Sequence, residues 1–306
     1  MDLEEVRTFV TLAELGSFTA AGRRLHRSQP AISRRLALLE QELAAPLLER
    51  IRGRAQLTAA GQAFLPHAEA ALSALRDGHD AVRGLGAGLS GRLSLALVGT
   101  LADTHIIDIL HRFARRSKDV RLELRTASSA EVTDLVRRGE ATLGLRYFSA
   151  DRPELVSLDA GSEAMLVIAA SGHPLARRRI RDPRVLSRER WIGFPPTAGE
   201  RDSSGHVLAR QLIRAGLDAA DVTLIDSLTA QKRLVQASFG LALVPESSVR
   251  DELRRGVLAA LDIPAMVTAI PITALHRRQG YLSPAARLLL SLLTAKPSVK
   301  NRRSRQ

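Results

Sequence analysis

Apolar residues at the start of the chain recur every three or four positions, the spacing of amphipathic helices. Leu3, Val6, Phe9, Val10 and Ala13 fall on one face of a first helix. Phe18, Ala21 and Leu25 do so in a second, and Ile32, Leu36, Leu39 and Leu43 in a third. Between the second and third stands Arg27-Ser28-Gln29-Pro30. It is a start signal, since Ser can cap a helix and Pro suits its first turn. The pattern predicts a helix-turn-helix over residues 18–37 whose second helix opens with an exposed polar turn. Ser28, Gln29, Pro30, Ser33 and Arg34 lie there, and Gln, Ser and Arg side chains hydrogen-bond base edges and phosphates. A helical hairpin with a merely solvated face has the same pattern, so periodicity alone leaves both readings open.

Pro46 to Leu57 carries Arg50, Arg52 and Arg54 around Gly53. A glycine turn flanked by arginines suits a β-wing on phosphates or in a minor groove; a solvated charged hairpin is the alternative. From Thr58 to about Gly88, the residues Gly61, Phe64, Ala68, Ala71, Leu75, Gly78, Val82 and Leu85 alternate spacings of three and four. That is a heptad-like seam of the kind that pairs helices, although it also suits a helix packed on its own chain. Pro66 removes one backbone hydrogen bond and predicts a kink. Gly84, Gly86, Gly88 and Gly91 mark a boundary.

Beyond it the period changes. Arg92–Val98 is strand-like, Ile106, Ile107, Leu110, Phe113 and Ala114 form a helix face, and Val120–Thr126 alternates. Val132, Leu135 and Val136 form another helix face, and Thr142–Phe148 reads as a buried strand. A second set follows: AMLVIAA, WIGFP, a helix from about His206 to Ala215, VTLID, a helix over Leu228–Ser238, and LALVP. VTAIPITALH and a helix over Ala285–Leu293 close the pattern. Alternating strands and helices predict an α/β fold with parallel sheets.

Charge changes this picture only slightly. The formal net charge of +13 favours a polyanionic partner, but much of it lies in Ala176–Arg190 and in the tail KPSVKNRRSRQ. With no cysteine there is no disulfide or thiolate metal site, which fits a cytoplasmic protein. No apolar run is long enough for a membrane span, and MDLEEVRTF lacks a signal-peptide core. Catalytic signatures are missing: no G-x-S-x-G, H-E-x-x-H, phosphate loop or dinucleotide fingerprint. The histidines are scattered, so neither a metal site nor another cofactor is expected, and the chain does not read as an enzyme.

The stretch SFTAAGRRLHRSQPAISRRLALLEQELAAPLLER resembles the DNA-binding segment of the LysR-type transcriptional regulators. The pattern matches at Ser17, Phe18, Thr19, Ala21, Leu25, Ser28, Gln29, Pro30, Ala31, Ser33, Leu39, Glu40, Leu43, Leu47 and Arg50, then at Leu57, Thr58 and Gly61. Gly22 stands where Ala is usual, Ala44 where Gly is usual, and Leu48 where Phe is usual. Gly22 is expected to weaken its helix by up to ~1 kcal/mol, and Ala44 to be a poor helix stop. More loosely, HPLA at His173–Ala176 and LVQASFGLALVPES at Leu234–Ser247 match the effector domain of the same family.

The resemblance implies a winged helix-turn-helix over residues 1–58, a linker and dimerisation helix over 59–90 pairing through Phe64, Ala68, Ala71 and Leu75, and a two-lobed effector domain over 91–295, built like a type 2 periplasmic binding protein. A basic tail expected to be disordered follows at 296–306. One lobe is expected to take Arg92–Asp159 and Ala269–Ala295, the other Gly161–Met266. Expected partners are operator DNA, a small and often anionic effector, a second copy in a homodimer or homotetramer, and RNA polymerase. An architectural DNA-binding protein with a vestigial sensor domain is the alternative.

Ligands of open α/β sheets bind beyond the carboxyl ends of strands, near helix N-termini. That rule selects Thr100, Ser128, Ser129 and Arg146 in the first strand set and Thr197, Ser203, Ser227 and Thr229 in the second. For Ser129 and Thr229 helix capping is at least as good an explanation as ligand contact, and one residue can do both. Arg146 either pairs with a buried acid or meets an anionic effector. Thr142 stands where the family often carries Asp.

Overall fold

The computed structural model describes residues 1–51, 53–84, 89–196 and 204–295. The chain divides into two compact units, Met1–Leu85 and Gly86–Gln306.

The first unit opens with α1 (Leu3–Leu15), α2 (Phe18–Leu25) and α3 (Gln29–Glu42), followed by strands β1 (Leu48–Ile51) and β2 (Arg54–Leu57) and helix α4 (Ala59–Gly84). Asp2 and Glu5 form a reciprocal capping box that starts α1. The predicted apolar faces converge on a core of Val6, Phe9, Leu12, Ala21, Ile32, Leu36, Leu39 and Leu47. Burying a side chain such as Ile32 or Leu39 contributes about 1.5–3 kcal/mol. Ala68 and Leu72 of α4 join this core, and Phe64 packs against it with its ring 5.6 Å from that of Phe9. Ala68, expected to pair two chains, is thus buried in the core of its own unit, and Phe64 is half-buried against it.

Close backbone approaches fix the turns. Thr58 Oγ1 accepts from Gly61 N at 3.0 Å and donates to the Pro46 carbonyl at 2.6 Å, tying the start of α4 to the strand entry. A Cβ on Gly61 would lie 2.0 Å from the Leu47 carbonyl oxygen, so only glycine fits. Gly22 is corrected in the same way. Its carbonyl accepts from Arg27 N at 2.9 Å, and a Cβ there would come within 2.7 Å of the Arg27 oxygen. The expected loss against Ala thus gives way to a steric need. Ala44 has φ +50, the left-handed conformation a glycine takes at a helix end. Helix α3 does stop there, at the cost of that conformation. Helix α4 runs on through Pro66.

The second unit is built on β3 (Ser90–Val98), α5 (Ile106–Arg116), β4 (Asp119–Ala127), α6 (Ser129–Arg137), β5 (Leu143–Tyr147) and β6 (Leu155–Ala170). It continues with β7 (Trp191–Gly193), α7 (Ser204–Arg214), β8 (Val222–Leu224), α8 (Leu228–Gln236), β9 (Leu241–Pro245), α9 (Arg250–Arg254), β10 (Leu258–Ala260), β11 (Thr268–Arg277) and α10 (Pro284–Thr294). The sheet order is β4-β3-β5-β11-β6-β9-β7-β8, with β10 also paired to β6. Each half repeats one scheme: three parallel strands with the first in the middle, then an antiparallel strand leading to the other half.

The two crossing strands, β6 and β11, pair with each other. Strand β6 is longer than the predicted AMLVIAA, because Leu155–Glu163 also pairs with β11. Gly161 (φ +101), whose N–H donates to Asp159 Oδ1 at 2.8 Å, lies opposite the irregularity between Pro271 and Thr273. The expected boundary between lobes falls at these residues, and in the fold they bend a continuous strand where it passes from one lobe to the other. Helices pack closely on the sheet. At Gly144 a Cβ would meet Val136 at 2.8 Å and Val132 at 2.9 Å, so α6 lies flush on β5. Thr142, in the position often taken by Asp, shares a 3.1 Å hydroxyl contact with Ser94.

Candidate nucleic-acid interface and ligand cavity

Helix α3 presents its N-terminal turn to solvent. Ser28, Gln29, Pro30 and Arg34 are exposed and Ser33 is half-buried, while Ile32 and Leu36 on the opposite side are buried in the core. Ser28 takes the cap position by backbone, but its side chain makes no capping hydrogen bond. The helix therefore starts with free N–H groups and a hydroxyl not committed to them, a place suited to a phosphate oxygen. Arg35 is anchored instead, donating to Glu4 Oε2 at 3.0 Å. At the far end Glu40 Oε1 accepts from Leu47 N at 2.7 Å and Leu48 N at 3.1 Å, so its carboxylate holds the entry to β1.

The hairpin β1–β2 has Ile51 opposite Arg54, with Gly53 at φ +80 in its turn. Arg50 stacks its guanidinium 4.3 Å from the Phe18 ring centroid, and Arg54 is exposed. Arg52 lies outside the described residues. Ala55 N donates to Gly16 O at 2.9 Å and fixes the hairpin against the end of α1. The arrangement is an exposed helix N-terminus beside an arginine-bearing hairpin. Sequence reasoning missed Glu40 and Phe18 as its supports, although both belong to the matched pattern.

In the second unit a cavity of about 650 Å³ opens between the two strand sets. Thr100, Ser128, Ser129, Ser227 and Thr229 line it. Ser128 Oγ accepts from Glu131 N and Ser227 Oγ from Ala230 N, so these two are the caps of α6 and α8. Ser129 and Thr229, just inside those helices, are not the capping residues. Both helix N-termini, with their partial positive charge, thus meet one cavity. The Ser128 backbone N–H, bonded to the Glu131 carboxylate at 2.8 Å, holds that carboxyl below its ordinary value.

Thr100 Oγ1 donates to Tyr147 Oη at 3.0 Å within a turn formed by Gly99–Asp103. Burial raises the Tyr147 phenol well above its ordinary pKa, with the Thr100 bond only partly offsetting it. Asp103, Thr126, Phe194 and Asp226 also line the cavity and were missed. Asp226 and Thr126 stand one and two residues before the selected Ser227 and Ser128, so widening the strand-end rule by that much would have found them.

Arg146 is corrected. Adjacent strand residues face opposite ways, so Tyr147 reaches the cavity while Arg146 turns toward α6. There it donates to Thr133 Oγ1 and, at 3.0 Å, to the Tyr147 carbonyl, and it is not among the cavity-lining residues. Thr197 and Ser203 fall outside the described residues, as does the tail at 296–306. No group of described residues could hold a metal ion.

Comparison with known proteins matches both halves. The family described as "Bacterial regulatory helix-turn-helix protein, lysR family" matches residues 3–62, and "LysR substrate binding domain" matches residues 86–297. The chain is similar to the transcriptional regulator TfdS of Cupriavidus pinatubonensis, with 30% identity over 275 residues, covering 89% of this chain and 91% of that protein. Among solved structures, full-length CbnR complexed with its target DNA superposes with TM-score 0.64 at 24% identity, covering 96% of this chain and 99% of that one. A full-length OxyR variant of Pseudomonas aeruginosa superposes with TM-score 0.69 at 21% identity, covering 96% and 95%. At these identities the structural matches concern the fold.

Proposed function

The chain belongs to the LysR family and is a DNA-binding transcriptional regulator with an effector-binding domain; on that premise we propose how its residues divide the work. Gln29, Ser33 and Arg34 read base edges in the major groove, and Ser28 with the first turn of α3 holds a phosphate. Arg54 and Arg50 of the hairpin contact the DNA backbone, Arg50 from its stack on Phe18. Arg52 joins them on the strength of the sequence pattern alone.

Two copies pair along α4. The exposed positions Ala71, Leu75, Gly78 and Val82 continue the heptad spacing beyond the residues used in the core, with Leu75 56% and Val82 69% exposed. Pairing presents two reading helices to successive major grooves. No described helix is long and apolar enough to cross a membrane, and the site of action is the bacterial cytoplasm, where the operator is.

The effector binds in the cavity, and its anionic group meets the N-termini of α6 and α8. Thr100, Ser128, Ser129, Ser227 and Thr229 supply hydrogen bonds. An effector with different affinities for two arrangements of the lobes shifts their equilibrium, and with it the DNA contacts. The observation that carries this reading is the convergence of those five hydroxyl-bearing residues on one cavity. Thr100→Val keeps the shape and removes the polar group. A ligand atom left unpaired there costs ~1–3 kcal/mol, so the effector concentration for half-maximal response rises about tenfold while operator affinity without effector stays the same. An unchanged half-maximal concentration contradicts the cavity assignment of Thr100.

A further inference from the structure

The described part of the cavity lining is acidic. Among its described lining residues there is no Lys, Arg or His, whereas Asp103 and Asp226 both face it. Neither aspartate has an ion pair or side-chain hydrogen bond among the described residues. Both carboxylates are exposed, so they disfavour a purely anionic ligand and attract a cation through a field partly screened by water.

The hydroxyls point to a second requirement. Tyr147 is only 2% exposed, and its Oη accepts the Thr100 hydroxyl proton. Its own O–H is left without an acceptor among the described residues. A donor of that kind needs an acceptor, which water in the cavity or the polar group of a ligand supplies. The N-termini of α6 and α8 likewise favour a negative group. Val98, Met165, Phe194, Leu243 and Ile270 provide an apolar wall. The volume of about 650 Å³ suits a small molecule.

We propose that the effector is a small amino-acid-like zwitterion. Its carboxylate accepts from Tyr147 and the helix N-termini, its ammonium group is held by Asp103 and Asp226, and its apolar side chain lies against Met165 and Phe194. This rests on the cavity being the effector site. It departs from a purely anionic effector because the ligand must neutralise the aspartates as well as satisfy the phenol.

The test uses the full chain and the twenty common amino acids, each with its deaminated carboxylate and its decarboxylated amine, for example phenylalanine, 3-phenylpropanoate and 2-phenylethylamine. Binding is read by calorimetry and by the shift of thermal unfolding. At least one amino acid binds, and both truncated partners bind it at least tenfold more weakly. Asp103→Asn and Asp226→Asn each weaken the amino acid about tenfold and shrink its advantage over the carboxylate.

A tighter-binding carboxylate without an amine, or no binding by any amino acid, overturns the zwitterion. If such a carboxylate is weakened by Thr100→Val, the cavity remains the effector site and only the ligand class falls. If a bound molecule is indifferent to Thr100→Val, Asp103→Asn and Asp226→Asn alike, the cavity assignment falls with it.

Discussion

In the N-terminal unit, the matched residues are held by backbone geometry. Gly61 has no room for a Cβ, Thr58 bridges a carbonyl and an N–H, and Glu40 binds the two amides that begin the hairpin. In the effector unit the residues around the cavity are hydroxyls and aspartates at strand ends, several of them exposed. The first unit presents a fixed surface to a partner of constant shape. The second leaves space, and the chemistry of what fills that space is set by side chains that the fold itself hardly needs. Substitution should therefore damage stability in one unit and ligand preference in the other.

The largest expected effect lies in the first unit. Gly61→Ala forces a Cβ to within 2.0 Å of the Leu47 oxygen, and relief requires the α4 start to separate from the hairpin. We expect a loss of about 3 kcal/mol, at the upper end for overpacked sites. Hydrogen exchange should rise across α1–α4 while β3–α10 keeps its protection. Equal loss of protection in both units would break the contrast.

Next comes assembly. Leu75→Glu places a charge on the exposed apolar stripe of α4. Sedimentation should show loss of the dimer, with unchanged protection in the α1–α3 core because Leu75 is not part of it. An unchanged oligomer removes α4 as the pairing element.

The smallest effect sharpens the comparison in the opposite direction. Ala44→Gly should stabilise the first unit by about 1 kcal/mol, because Ala44 is exposed and held at φ +50. Urea denaturation followed through that unit measures it. A loss of stability would mean that the gain in unfolded-chain entropy outweighs the relief of the left-handed conformation.

The same contrast explains what was legible from sequence. Helices α1 to α4 follow from apolar spacing because each buries one face in a small core, and the hairpin follows from Gly53 between arginines. The α/β alternation was equally readable. The full length of β6 was not, because Leu155–Glu163 joins the strand through its pairing with β11, which the sequence does not show. Phe64 and Ala68 fit a heptad whether their neighbour is a second chain or α1, and the fold adds the contact with their own unit. Arg146 was misplaced because its one-residue offset from Tyr147 sends it to the other face of β5. Ser128 and Ser227 were found, but capping and ligand contact demand the same residue types, so sequence could not separate the two uses.

On the proposed function, α3 reads bases through its first turn, with the rest of the molecule setting when and where it does so. The most direct test is selection of bound genomic fragments by the wild-type chain and by Arg34→Ala. The wild type should enrich a two-fold related motif whose half-sites are one or more helical turns apart. Arg34→Ala should bind that motif ~1–3 kcal/mol more weakly and lose preference at one base pair in each half-site. The same motif, with undiminished preference at every position and unchanged affinity, would contradict the account.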